Sequence, residues 1–253
     1  MNNSQRREKI LNCLRTQKSI PVNTLIQMFG VSGMTIRRDL DYMVQHGLVT
    51  RSYGQVSLAT NYLSESTFDT RQIKNLPEKQ SIAACALPFF KECDSVFLDG
   101  STTCNELVKL IPPTCHTTVY TNSIASFLIL RQLPHLRIFF IGGFLAADRN
   151  TVDGTESLSL ARDIYVDATF ISCSGFSREG IVNSGSSGSH LKSIMLKNAH
   201  HRYLLADHTK QDIQGLYHLS NWPDIDTLIT DRPLDSDFSV FLENAGVSVL
   251  VSE

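Results

Sequence analysis

Two patterns of apolar and polar positions divide the chain. In the first sixty residues apolar side chains recur in short blocks at helical spacing. Ile10, Leu11 and Leu14 share one side of a helix predicted over 5–17, and a shorter helix is predicted over 22–29 with Gly30 behind it. Ile36, Leu40, Met43 and Val44 fall on one face of a third, beginning at Gly33 or Met34, and are expected to be buried. Ser32 stands at its N-cap position and Gly47 at its C-cap. Residues 48–53 and 55–58 predict a two-stranded hairpin turned at Gly54. From 59 to about 76 the residues are polar without a clear period, which reads as a linker.

From Pro77 the pattern becomes apolar runs alternating with helical segments. Strands are predicted at 96–99, 117–121, 136–141, 168–172, 203–207, 227–230 and 247–251, and helices at 77–90, 104–111, 124–130, 158–164, 191–199 and 238–245. Continuous apolar runs suit parallel strands covered on both faces. The expected fold class is therefore α/β: an N-terminal winged helix-turn-helix (1–60), a linker (61–76), and a C-terminal open, mostly parallel α/β sheet domain (77–253).

Composition narrows the classes. With 42% apolar and 19% charged residues the chain reads as an ordinary soluble protein. No apolar run approaches the roughly 18 residues of a membrane helix, and the polar start MNNSQRREK lacks the apolar core of a signal peptide. A cytoplasmic location without a membrane partner is expected. The six cysteines are scattered without a C-x-x-C pair, so neither a zinc site nor a disulfide framework is indicated, and no cofactor is expected. His200, His201 and Trp222 are assigned to packing or surface rather than to metal.

Charge changes the picture of the first sixty residues. They hold eight Lys and Arg against three acids, whereas the whole chain carries −2, so the remainder is acidic by seven. A basic head on an acidic body suits a duplex-binding module joined to a separate domain. On the third helix Met34, Thr35, Arg37 and Arg38 remain near the N-terminal end, where a recognition helix meets DNA, with Ser32 beside them. The arginine fork can take two acceptors on guanine or phosphate. Arg51 of the hairpin and Arg6 or Arg7 of the first helix are expected to reach phosphates.

In an open parallel sheet, ligands collect beyond the carboxyl ends of the strands. After the first predicted strand comes Asp99, Gly100, Ser101, Thr102 and Thr103, running straight into a helix. Hydroxyls and free N–H groups there form an anion hole suited to phosphate; the alternative is an ordinary cap, with Thr103 and Glu106 as a capping box. After the strand at 203–207 comes Asp207-His208-Thr209-Lys210, where Lys210 can pair with phosphate and Asp207 can accept sugar hydroxyls; the alternative is a turn capped by Asp207 with Lys210 in solvent. Asn122 either reaches a ligand or forms a turn. Gly175, Gly180 and the Ser/Gly-rich loop 183–189 are either a lid or a flexible loop.

The head resembles the DeoR-type bacterial transcriptional repressors of carbohydrate catabolism. The resemblance rests on Arg7, Ile10 and Leu11, on Val31, Ser32, Thr35, Ile36, Arg37, Arg38, Asp39 and Leu40, and on Gly47, Arg51 and Gly54, with Gln55 standing where the family usually has a second glycine. It continues through Asp99 to Thr103 (Cys104 replacing a last threonine), Thr121-Asn122, Gly142-Gly143, and Asp207 to Lys210. It implies a C-terminal domain like the ribose-phosphate isomerase and CoA-transferase fold, holding a phosphorylated sugar effector at Asp99 to Thr103, Asn122, Gly142, Gly143, Asp207 and Lys210. The expected function is a repressor that binds a double-stranded DNA operator as a dimer or tetramer and is released by that effector. The alternatives are an activator of the same operon and a sugar-phosphate isomerase or transferase carrying an added DNA-binding head.

Overall fold

A computed structural model describes residues 3–17, 19–45, 48–58, 68–146, 148–185 and 188–252, except the side chains of Ser4, Glu8, Arg15 and Thr16. The chain forms two compact units, Met1–Ser64 with Ile213–Leu216, and Glu65–Asp212 with Tyr217–Glu253.

In the first unit, helix α1 (Asn3–Gln17) leads through strand β1 (Ser19–Pro21) into α2 (Val22–Phe29) and α3 (Gly33–Gln45), followed by the hairpin β2 (Val49–Ser52) and β3 (Gln55–Leu58). Gly30 closes α2 in the left-handed region, with its N–H on the Ile26 carbonyl, and the chain can turn at once into α3. Ser32 caps α3, its Oγ accepting from the Thr35 N–H at 3.2 Å. The hairpin turns through Tyr53 (φ 48°) and Gly54 (φ 75°), the two positive φ values that a two-residue turn between twisted strands requires. β1 was not anticipated: it pairs with β3 to give the order β1-β3-β2. Ile10, Leu11, Leu14, Ile36, Leu40 and Met43 are fully buried around this sheet. Val44, expected in the core, is exposed, because the buried arc of α3 turns instead toward Asp39. Gly47 lies outside the described residues.

The second unit begins earlier than its strands suggested. Residues 68–76, read as linker, contain α4 (Phe68–Ile73), which buries Phe68, and the start of α5 (Leu76–Lys91). The order continues β4 (Ser95–Leu98), α6 (Thr102–Leu110), β5 (Thr118–Thr121), α7 (Ile124–Leu130), β6 (Arg137–Phe140), the small pair β7 (Phe144–Leu145) and β8 (Val152–Asp153), α8 (Thr155–Arg162) and β9 (Val166–Ile171). Then come β10 (Gly175–Ser177), β11 (Gly180–Asn183), α9 (Ser189–Lys197), β12 (Ala199–Leu205), a 3-10 turn at His208–Lys210, β13 (Tyr217–Ser220), β14 (Thr227–Thr230), α10 (Ser236–Asn244) and β15 (Ser248–Val251).

All seven predicted strands meet in one parallel sheet of order β15-β14-β12-β9-β4-β5-β6. One face packs on α5 and α6 through Ile82, Phe90, Leu98, Leu107 and Phe170. The other face buries Phe97, Ala161, Val166, Leu191 and Met195 beneath α8 and α9. Gly175 and Gly180 sit in β10 and β11, which join β13 in an antiparallel sheet over Trp222 and Phe238. Chain order reverses between β4 and β9, and the crevice beyond their carboxyl ends is where such sheets bind ligands.

Candidate functional site

On the first unit Met34, Arg37 and Arg38 are exposed along α3. Ser32 and Thr35 lie beside them with their hydroxyls 2.9 Å apart, so both take part in the cap. Arg51 is exposed on β2, its Nη1 2.6 Å from Asp41 on α3. Such a surface pair is worth only about 0–1 kcal/mol, so a phosphate can compete for the guanidinium.

Arg6 and Arg7 are corrected. Both turn inward: the Arg6 and Arg7 Nε groups take opposite oxygens of the buried Asp39, and Arg7 stacks on the Tyr42 ring at 3.7 Å. Arg6 also donates to Asn3 at 2.9 Å. A buried carboxylate needs such donors, and these arginines bind α1 to α3 instead of facing a phosphate. The run Arg37-Arg38-Asp39 thus divides by helical rotation, with two cations outward and one anion inward.

The second unit gathers its charges at the reversal of the sheet. Asp99, at the end of β4, is buried; one oxygen accepts from the Ser101 N–H at 2.9 Å and the other from the Ser172 N–H at 3.0 Å. Burial alone would raise its carboxyl pKa, but Lys192 of α9, with Nζ 2.7 Å away, and these donors hold it below the usual range. Lys192 also donates to the Ser172 carbonyl at 2.6 Å, while Lys210 donates to Ser172 Oγ at 2.7 Å. Asp207 accepts from the Thr209 N–H and hydroxyl and from Asn75, and lies 3.9 Å from Lys210. Burial is again the largest influence and opposes its ionisation, but Lys210, the hydrogen bonds from Thr209 and Asn75, and Lys79 together outweigh it, so its pKa is also lowered. Lys79 of α5 is buried behind them; burial first, then the Lys210 charge, brings its pKa down to about 8, with Asp207 and Glu106 acting the other way.

The loop Asp99 to Thr103 opens α6. Ser101 is the cap, accepting from the Cys104 N–H at 3.2 Å, and Glu106 pairs with Lys109, so the capping box of Thr103 and Glu106 does not form. Thr102 and Thr103 are buried, and Thr103 Oγ1 has no hydrogen-bond partner. Gly100 is required by proximity, since a Cβ there would stand 2.0 Å from Thr151 Cγ2. Asp207 does cap its turn, but Lys210 is mostly buried instead of solvated.

Asn122, Gly142 and Gly143 each have contacts within the fold. Asn122 Nδ2 donates to the Val152 carbonyl at 2.8 Å, and the Gly142 carbonyl accepts from Ser157 at 2.5 Å. A Cβ on Gly143 would meet the Asp153 carbonyl at 2.4 Å. These contacts fix the flanks of the excursion 144–153, whose Asn150 donates to the Gly100 carbonyl at 3.2 Å; they do not themselves run to Asp99, Asp207 or Lys210. Lys192, Ser172, Asn75 and Lys79 were missed. Lys192 follows the Ser/Gly-rich loop by a single helical turn, the position from which a side chain reaches back over a strand end, and that spacing was its only signal.

A family model described as the DeoR-like helix-turn-helix domain matches residues 6–61, and one described as the DeoR C terminal sensor domain matches 74–232. The uncharacterized HTH-type transcriptional regulator YulB of Bacillus subtilis (strain 168) is 31% identical over 97% of this chain and 95% of its own. The HTH-type transcriptional repressor GlcR of the same strain is 28% identical over 100% of this chain and 98% of its own. Among solved structures, ribose 5-phosphate isomerase A from Methanocaldococcus jannaschii overlaps 55% of each chain at a TM-score of 0.40 and 13% identity, a likeness that decides nothing about ligand or activity. No helix of the described residues is long and apolar enough to cross a membrane. With head and sensor matched in order, and relatives aligned over nearly its whole length, the chain belongs to the DeoR family of helix-turn-helix transcriptional regulators.

Proposed function

We propose that the protein represses a carbohydrate-utilisation operon and is released from its operator by a phosphorylated sugar held beyond the ends of β4, β9 and β12. The observation that carries this reading is the convergence of Lys192 and Lys210 on Ser172, beside the start of α6 and two buried carboxylates. The first N–H groups of a helix have no partner within it and attract an anion. Two lysines add point charge, and Asp207 can accept sugar hydroxyls. A sugar phosphate presents both kinds of group. On the head, exposed Arg37 and Arg38 enter the major groove, and paired heads of a dimer or tetramer supply the contact area that a single small module lacks. Release follows only if the effector favours the arrangement that binds DNA poorly.

Fluorescence anisotropy of the full-length protein on DNA from upstream of its own gene, with scrambled competitor and a panel of sugar phosphates, tests this reading. Specific, salt-dependent binding weakened by one sugar phosphate is expected. Arg38→Ala should weaken operator binding by roughly 1–3 kcal/mol, and Lys210→Ala should abolish the sugar response while leaving operator affinity intact. Unchanged operator affinity in Arg38→Ala would remove α3 from the groove. Turnover of an aldose or ketose phosphate would instead make the protein an enzyme.

A further inference from the structure

Asn75 stands at the N-cap of α5, yet its side chain does not cap that helix. Its backbone is held in the left-handed region, φ 52° and ψ 42°, which a residue bearing a Cβ occupies at a cost. The amide is turned away from α5 to the other end of the chain: Nδ2 donates to Thr209 Oγ1 at 2.8 Å and to Asp207 Oδ1 at 3.2 Å. The residues just before it are held as well. Lys79 donates to the Lys74 carbonyl at 2.6 Å and to the Arg71 carbonyl, and Arg71 pairs with Asp148 at 3.0 Å. Segment 71–75 is thus pinned at three places, and only the Asn75 pin lies on the Asp207–Lys210 turn.

Asp207 Oδ1 already has three donors, and Asn75 is the farthest of them. A ligand hydroxyl that takes this oxygen displaces the amide. Asn75 can then leave the left-handed region and cap α5 with its own side chain, as asparagine does at ordinary helix starts. The geometry points to Asn75 as a catch that couples the Asp207–Lys210 turn to segment 71–75, the junction between α4 and α5. It is closed without ligand and opened by a hydroxyl-bearing ligand on Asp207. The opening rests on the effector reading above; the closed state does not.

Hydrogen exchange of the full-length protein, followed over 68–79 and 203–212, tests the catch from both ends. Asn75→Gly keeps the left-handed backbone and removes the amide, whereas Thr209→Val removes the nearer acceptor without touching α5. Both variants, without ligand, should exchange several-fold faster over 71–79, with the buried strands β4 and β9 as protected as before. Wild-type exchange over 71–79 in both variants would overturn the catch whatever sugars do. In a second arm glucose 6-phosphate, fructose 6-phosphate and fructose 1-phosphate are added singly. A compound that protects 203–212 should loosen 71–79 in the wild type and cause no further loosening in Asn75→Gly; protection of 203–212 with 71–79 unchanged would overturn the opening step. Loosening in both variants, with no sugar phosphate altering exchange or operator affinity, supports the closed catch and counts against the effector reading alone.

Discussion

Asp39→Ala is expected to unfold the DNA-binding head and leave the sensor domain folded. Asp39 is buried, and both Arg6 and Arg7 spend their Nε donors on it. Removing the anion leaves the buried Arg6 guanidinium with Asn3 as its side-chain partner among the described residues and cuts the polar link between α1 and α3. Breaking a buried pair from one side costs about 3–5 kcal/mol, a large part of what a domain of this size holds in reserve. Trp222, the single tryptophan, is buried in the second unit and reports on that unit. Operator binding should vanish while the Trp222 emission and its urea midpoint stay those of the wild type. Asp39→Asn, which keeps an acceptor, should fall between. Wild-type operator affinity in Asp39→Ala would show that these arginines hold nothing together.

Lys192→Met should destabilise the second unit by a similar amount, about 3–5 kcal/mol. The substitution keeps most of the side-chain volume but strands the Asp99 carboxylate in the interior with the Ser101 and Ser172 N–H groups as its donors. In the wild type the Asp99 pKa lies below its ordinary value, so its stabilising contribution is complete above that ordinary value and is lost as pH falls through the depressed one. The gap between wild type and Lys192→Met in the Trp222 urea midpoint should therefore persist from about pH 7 down to the ordinary carboxyl value of 3.8 and close below it. Combining Lys192→Met with Asp99→Asn should recover part of the loss, because no buried charge then lacks its partner. A gap independent of pH would show that Lys192 stabilises by packing alone.

The inner strands β4, β9 and β14 could be read along the chain because each is a nearly continuous buried run, while the edge strands β6 and β15 are partly exposed and were legible only as apolar runs. The head was readable because Gly30, Ser32 and Gly54 each mark a turn with its own backbone requirement. What could not be read was pairing at a distance. Nothing local distinguishes the inward Arg6 from the outward Arg38; the difference is Asp39, which only the crossing of α1 over α3 brings within reach. α4 escaped notice because it is short and polar and buries mainly Phe68. β1 is three residues long and is a strand only because β3 lies beside it. At the effector site Asp99, Asp207 and Lys210 were named from their places at strand ends, while Lys192 and Asn75 belong to elements whose approach depends on the finished fold. Asn122, Gly142 and Gly143 join them by resemblance; their contacts run to Val152, Ser157 and Asp153, flanking an excursion that itself abuts Gly100 through Asn150 and Thr151.

The strand order also sets a sequence of events in time. β4 is the first strand of the sheet to be made, yet it lies at the centre, and Val96 finds its partner Ala168 only after β5, β6 and α8 have been synthesised. Pairing between such distant stretches forms slowly, because the intervening loop must close first. The fully buried residues of the head's core, by contrast, have all emerged with Val56, and Leu216 packs against them later. On the ribosome most of the part that grips DNA is therefore made well before the part that can be told to let go, with Ile213–Leu216 of that unit following late.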